Sequence, residues 1–101
     1  MSRQEIKQKV RDAIESETLK DDILKVSLFG SYLHGDFRED SDIDVLIEFV
    51  PTARISFFNL ARIKRHIELF THKPVDLLTP EAISRFFRDQ IINEAETVYE
   101  R

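Results

Sequence analysis

The sequence contains no cysteine, which excludes a disulfide framework and any thiolate metal site and suits a reducing compartment. No apolar run approaches the roughly 18 residues that a membrane-spanning helix requires. The N-terminus, MSRQEIKQKVRDAIE, is too polar for a secretory signal. Glycine and proline number only two and three, and no Gly/Ser-rich linker, internal repeat or low-complexity tract divides the chain. At 101 residues the length suits one small domain, residues 1–101, in which nearly every apolar stretch is needed for a single core. Hydrophobic residues at 42% and charged residues at 34% mark a globular chain, not a disordered one. The expectation is a cytoplasmic, single-domain protein without a membrane partner.

Basic residues are outnumbered as well, 15 against 19 acids, for a net charge of -4. A domain that binds nucleic acid through its phosphates is usually basic, so direct nucleic-acid binding is not expected. The two signs are segregated along the chain. Arg54, Arg62, Lys64, Arg65 and Lys73 face only Glu68 within 54–73, whereas Asp36, Glu39, Asp40, Asp42, Asp44 and Glu48 face only Arg38 within 36–48. Such segregation is either a solvated surface or a site for something with cationic and anionic parts.

The pattern predicts an α/β (α+β) fold with a small mixed β-sheet and packed helices. Ser2 with Glu5 forms a capping box ahead of Ile6, Val10 and Ile14, which share one helix face. Leu24, Val26 and Leu28 alternate as a strand that runs into Phe29-Gly30. The stretch from Ser31 to Ser41 is polar and loop-like, with room for one helical turn before Gly35. Ile43, Val45, Ile47 and Phe49 alternate as the clearest strand, closed by Pro51. Ser56 caps a helix whose core stripe is Phe57, Leu60, Ile63, Ile67 and Phe70. Val75 to Leu78 is a third strand. Thr79-Pro80-Glu81 is a helix start, continued by Ile83, Phe86, Phe87, Ile91 and Ile92. The tail Thr97 to Glu100 fits either that helix's last turn or a closing strand.

On the second strand Asp42 and Asp44 lie at i and i+2, about 6.6 Å apart and opposite the apolar face. Adjacent carboxylates raise one another's pKa unless a cation or donor compensates. Magnesium compensates, being bound through one or two carboxylates plus substrate phosphates. For a lone Asp-x-Asp the favoured reading is the plainer one, an exposed pair on an edge strand. Asp76, an acid inside the short apolar strand Val75-Asp76-Leu77-Leu78, adds a third carboxylate if that strand lies beside the second. Three acids can then clamp two metal ions about 3.5–4 Å apart for in-line phosphoryl or nucleotidyl displacement. The plainer role for Asp76 is an ion pair with Lys73 or Arg62. Gly30-Ser31, at the end of the first strand, allows close backbone approach and offers amides and a hydroxyl to phosphate. Gly35 would shape the exit of that turn. No Gly-Lys-Ser/Thr follows, so this is not a P-loop.

The segment LFGSYLHGDFREDSDIDVLIEF, with Asp76 beyond the next helix, resembles the signature of the nucleotidyltransferase superfamily. The likeness covers nearly the whole chain and is strongest to the minimal nucleotidyltransferases, the MNT antitoxins paired with HEPN ribonuclease toxins. That resemblance implies the nucleotidyltransferase fold and use of ATP with Mg²⁺, as two ions. It makes Asp42 and Asp44 metal ligands, Asp76 a third ligand or base, and assigns Gly30 and Ser31 to the triphosphate. It also implies transfer of AMP to a tyrosine hydroxyl of a HEPN toxin, which neutralises it. The chain departs from many relatives where Tyr32, Leu33 and His34 replace a phosphate-binding arginine, for which His34 is a weaker, pH-dependent substitute.

Two other functions fit the same residues. One is an antitoxin that masks the toxin by binding alone, and the other is an aminoglycoside-type small-molecule nucleotidyltransferase. After Leu78 the chain is too short for a separate acceptor-binding domain, which favours an acceptor that is itself a folded protein. Arg62, Lys64, Arg65 and His66 suit the solvated face of their helix better than a phosphate wall. His34, His66 and His72 lack zinc-ligand spacing. Phe57, Phe58, Phe70, Phe86 and Phe87 are expected in the core, although one of them could pack against adenine. Tyr99 packs the C-terminal end and is a weaker candidate for self-modification.

Overall fold

The computed structural model describes residues 2–34, 38 and 41–101. Its elements run in the order α1 (Arg3–Glu15), β1 (Ile23–Phe29), α2 (Ser31–His34), β2 (Ile43–Phe49), α3 (Phe57–Thr71), β3 (Val75–Leu78), α4 (Arg88–Glu94) and β4 (Glu96–Glu100). The four strands form one sheet in the order β3-β2-β1-β4. β1 is antiparallel to both β2 and β4, whereas β3 runs parallel to β2 with α3 as the connection between them. The expected mixed sheet with packed helices is the observed architecture. Among the described residues no helix is long and apolar enough to cross a membrane.

The two longest helices begin where side chains replace missing backbone partners. Ser2 accepts from the Glu5 amide while Glu5 accepts from Ser2, and Ser56 forms the same reciprocal pair with Asn59. From α1 the chain buries Ile6, Val10, Ala13 and Ile14, and from α3 Ile63 and Ile67. These pack on one face of the sheet, against Ile43, Val45 and Ile47 of β2, Val26 and Leu28 of β1, and Val75 and Leu77 of β3. Each fully buried aliphatic side chain contributes roughly 1.5–3 kcal/mol, so this single layer supplies most of the driving force for folding. Because strand side chains alternate, filling that face with Ile43 and Val45 sends Asp44 to the other.

The tail adopts the second of its two expected forms, a strand. Glu96–Glu100 pairs with the otherwise open edge of β1, held to α1 by Arg11 donating to the Val98 carbonyl at 3.1 Å and by the Lys7–Glu96 ion pair at 2.9 Å. Tyr99 is buried there, as expected of a packing residue and unlike an exposed modification site.

Two expectations are corrected. The helix predicted from Thr79 is instead a single 3-10 turn, Pro80–Ala82, and α4 begins only at Arg88. Thr79 makes no side-chain cap, and Ile83 turns to an extended backbone and is buried. The Arg88 guanidinium donates to the Pro80 carbonyl at 2.7 Å and the Ile83 carbonyl at 3.0 Å, partners that continuing helical amides would otherwise have supplied. The second correction concerns the phenylalanines. Phe57, Phe58, Phe86 and Phe87 are 81%, 83%, 79% and 59% exposed, because Ile, Val and Leu already close the core. Of the five phenylalanines expected in the core, only Phe70 packs partly against it, as do Leu60 and Phe49.

Candidate active site

The site forms where three elements meet at one end of the sheet. β1 ends at Phe29, whose register partner on β2 is Asp44. The register partner of Asp44 on β3 is Asp76. Asp44 therefore stands between the β1 turn and Asp76, with neighbouring strands about 4.8 Å apart. Asp42 lies just before β2, two residues from Asp44 on the same side. Asp44 is half-buried, while Asp42 and Asp76 are exposed.

Gly30 carries the chain from β1 into the short α2 with φ +71°, a left-handed conformation that side chains disfavour. Space requires glycine as well. A Cβ at this position would lie 2.1 Å from Asp44 Oδ2, so the bare Cα is what admits the carboxylate. Next in the chain, the Ser31 backbone N–H donates to Asp44. The turn expected to approach phosphate thus also seats an aspartate. Gly35, expected to shape the exit of the turn, lies outside the described residues, as does the His34 side chain.

Burial, then the charges of Asp76 and Asp42, raise the Asp44 pKa above its ordinary value, and the Ser31 N–H offsets part of the rise. Like charges held together in this way favour a compensating cation. The oxygen-only donor set suits a hard divalent ion such as magnesium. Among the described residues no three such side chains are already closed at metal-ligand spacing; the aspartates are related as neighbours on adjoining strands.

Of the two ion-pair partners that were the plainer alternative for Asp76, Lys73 and Arg62, the second is engaged elsewhere. Arg62 instead donates to the buried Glu17 at 3.1 Å, and His66 bonds Ser16 at 2.9 Å. Both side chains tie α3 to the end of α1, so they are structural, whereas Lys64 and Arg65 stay exposed. Tyr32 is turned into the core at 2% exposure, its hydroxyl donating to the Arg3 carbonyl at 3.2 Å.

Sequence reasoning missed two apolar grooves flanking the aspartates. One joins Asp76 to Phe57, Leu60, Ala61 and Lys64, and the other joins Gly30 to Phe87 and Ile91. The only sequence signal was an excess of phenylalanine over what one small core can hold.

The family model described as Polymerase beta, Nucleotidyltransferase matches residues 8–101. A candidate protein adenylyltransferase of Methanocaldococcus jannaschii is 38% identical over 98 residues, 97% of this chain and 99% of the relative. The fold matches a solved minimal nucleotidyltransferase with a TM-score of 0.76 at 28% identity, over 94% of each chain. It also matches a chain from the complex of the tri-AMPylated HEPN toxin of Shewanella oneidensis with its MNT antitoxin. There the TM-score is 0.71 at 15% identity, covering 99% of this chain and 74% of the other. At that identity the likeness is one of fold.

Proposed function

Because this chain belongs to the polymerase beta nucleotidyltransferase family, we propose that it transfers AMP from ATP to a tyrosine hydroxyl of a HEPN-type ribonuclease toxin and so neutralises the toxin. The observation that carries the reading is the pairing of Asp44 with Asp76 across parallel strands, beside the Gly30 turn. The AMPylated toxin in the complex of similar fold supports the choice of nucleotide and partner.

In this mechanism Asp42 and Asp44 hold magnesium, with Asp76 as a third ligand or as the base. Held by these carboxylates, magnesium (two ions in the proposed site) would supply neutralisation of the negative charge that builds up during an in-line displacement. Ser31 and the backbone around Gly30 hold the triphosphate. Asp76, exposed on the edge strand, would accept the proton of the acceptor hydroxyl as its oxygen bonds to the α-phosphorus and pyrophosphate departs. Asp44, fixed by the Ser31 N–H, keeps the donor set oriented before substrate arrives.

Intact-mass measurement of the protein encoded next to this gene, after incubation with this chain and Mg-ATP, tests the reading. The toxin is expected to gain whole AMP residues, mapped to tyrosine, and to lose ribonuclease activity. Neutralisation at unchanged toxin mass, with or without ATP and Mg²⁺, would identify masking instead. Labelling of an aminoglycoside with no protein present would identify the small-molecule enzyme.

Exposed aromatics support a protein acceptor. Phe57 and Phe58 lie edge to face at 6.5 Å, and Phe57 lines the groove that contains Asp76. Buried aromatic anchors dominate protein interfaces, and large exposed apolar patches mark them. Replacing both with alanine is expected to weaken toxin binding at least about thirtyfold, or about 2 kcal/mol. Because neither ring is in the core, the urea midpoint should be nearly unchanged. Titration calorimetry against a catalytically inert toxin, alongside urea unfolding, separates the two effects.

A further inference from the structure

β3 is an edge of the sheet, and one side of its backbone is only partly used. The Ile43 N–H donates to the Pro74 carbonyl at 2.9 Å. In a parallel ladder this turns the backbone groups of Asp76 and Leu78 toward β2, and those of Val75 and Leu77 outward. The outward Val75 N–H is already met by Glu68 Oε2 at 2.9 Å. Among the described residues, the Val75 carbonyl and the N–H and carbonyl of Leu77 have no partner.

α3 runs beside this open edge. Phe57, Leu60, Ala61 and Lys64 meet Asp76 and Leu77 around a groove of about 200 Å³. That is below the roughly 300–1,000 Å³ of small-molecule sites and suits a side chain. A strand edge flanked by a groove is a setting in which an extended peptide adds as a further strand. Main-chain bonds then supply affinity, and pockets for alternate side chains supply specificity.

The free groups also choose a direction. In a parallel segment, the residue opposite Asp76 donates its N–H to the Val75 carbonyl and accepts from the Leu77 N–H. The residue two places on donates to the Leu77 carbonyl, so all three groups are used. An antiparallel segment would aim a carbonyl at the Val75 N–H, where the Glu68 carboxylate already sits. Two-fold pairing with a second copy of this chain is antiparallel, so it meets that conflict twice. It also brings two Asp76 carboxylates onto one face, like charge near like. The occupant is therefore a different chain. We propose that β3 receives an extended segment of the acceptor protein as a parallel strand, its hydroxyl-bearing residue opposite Asp76. Alternation puts that residue on the Asp76 face and sends the next side chain, an apolar one, into the Phe57 groove. This rests on the transfer reading above, which supplies the acceptor.

A capped pentapeptide, Thr-Val-Tyr-Ile-Thr, is the probe, titrated into isotope-labelled chain and followed by nuclear magnetic resonance. At saturation it should slow hydrogen exchange of the Leu77 amide at least about tenfold. The Asp76 amide, already turned to β2, should change far less. Methylating the backbone nitrogen of the tyrosine, or of the last threonine, should weaken binding about tenfold. Methylating that of the isoleucine, which points away from β3, should leave affinity unchanged. The reverse pattern would mean antiparallel addition and overturn the proposal. So would equal tolerance of all three methyl groups, or a peptide that leaves Leu77 unprotected. If any of these occurs while the protein encoded next to this gene still gains AMP, the inference fails alone. If the expected methylation pattern holds but neither that protein nor the peptide gains AMP from Mg-ATP, the transfer reading fails and the strand site stands.

Discussion

Asp44→Asn is expected to reduce AMP transfer to the toxin by at least about a thousandfold, or roughly 4 kcal/mol of transition-state stabilisation. Asparagine keeps the shape of the side chain and an oxygen to accept the Ser31 N–H, so the turn should persist while the charge disappears. The same substitution is expected to stabilise the metal-free fold. In the native chain burial and the neighbouring Asp76 and Asp42 raise the Asp44 pKa. Stability linked to a raised carboxyl is fully present below the unfolded pKa and is lost as pH rises through the folded one. The variant does not suffer that loss. Its urea midpoint in EDTA should exceed the native value at pH 7, with the gap closing toward acid pH. Transfer at the native rate would remove Asp44 from the mechanism. A variant less stable than the native chain at pH 7 would show that its charge is not strained.

Gly30→Ala is expected to damage fold and function together. The left-handed backbone at φ +71° costs a side-chain-bearing residue roughly 1–2 kcal/mol. For a domain of this size that lowers the thermal midpoint by roughly 4–16 °C. The new methyl would also enter the space of Asp44 Oδ2, 2.1 Å away, so the carboxylate must move and transfer should fall at least about a hundredfold. A double-mutant cycle separates the two causes. Adding Asp44→Ala to Gly30→Ala should recover the part of the lost stability due to the clash and leave the part due to backbone conformation. Full additivity of the two changes would mean that glycine and aspartate do not compete for this space.

Much of the site was legible because its signals are local. Alternation along Ile43-Asp44-Val45 decides which face each side chain takes once one face is apolar, and Ser2 and Ser56 announce helix starts through their own hydrogen bonds. The same local logic failed at Thr79-Pro80, a strong helix start on paper. There the burial of Ile83 and the reach of Arg88 to two carbonyls outweighed propensity. It failed again for the phenylalanines, because an apolar stripe states that a face wants cover without stating whether the rest of the chain provides it.

The residues alone determined that Asp42 and Asp44 share a face away from the core and that a glycine-serine turn follows the first strand, since both follow from backbone periodicity over a few positions. Only the tertiary structure decided that Asp76 pairs with Asp44, that Gly30 exists in part to admit an aspartate, and that the tail closes the sheet as a strand. Those outcomes depend on which strand edges meet and in what register. That is a competition among distant segments for one small buried layer, and nothing in the local pattern of any single segment records it.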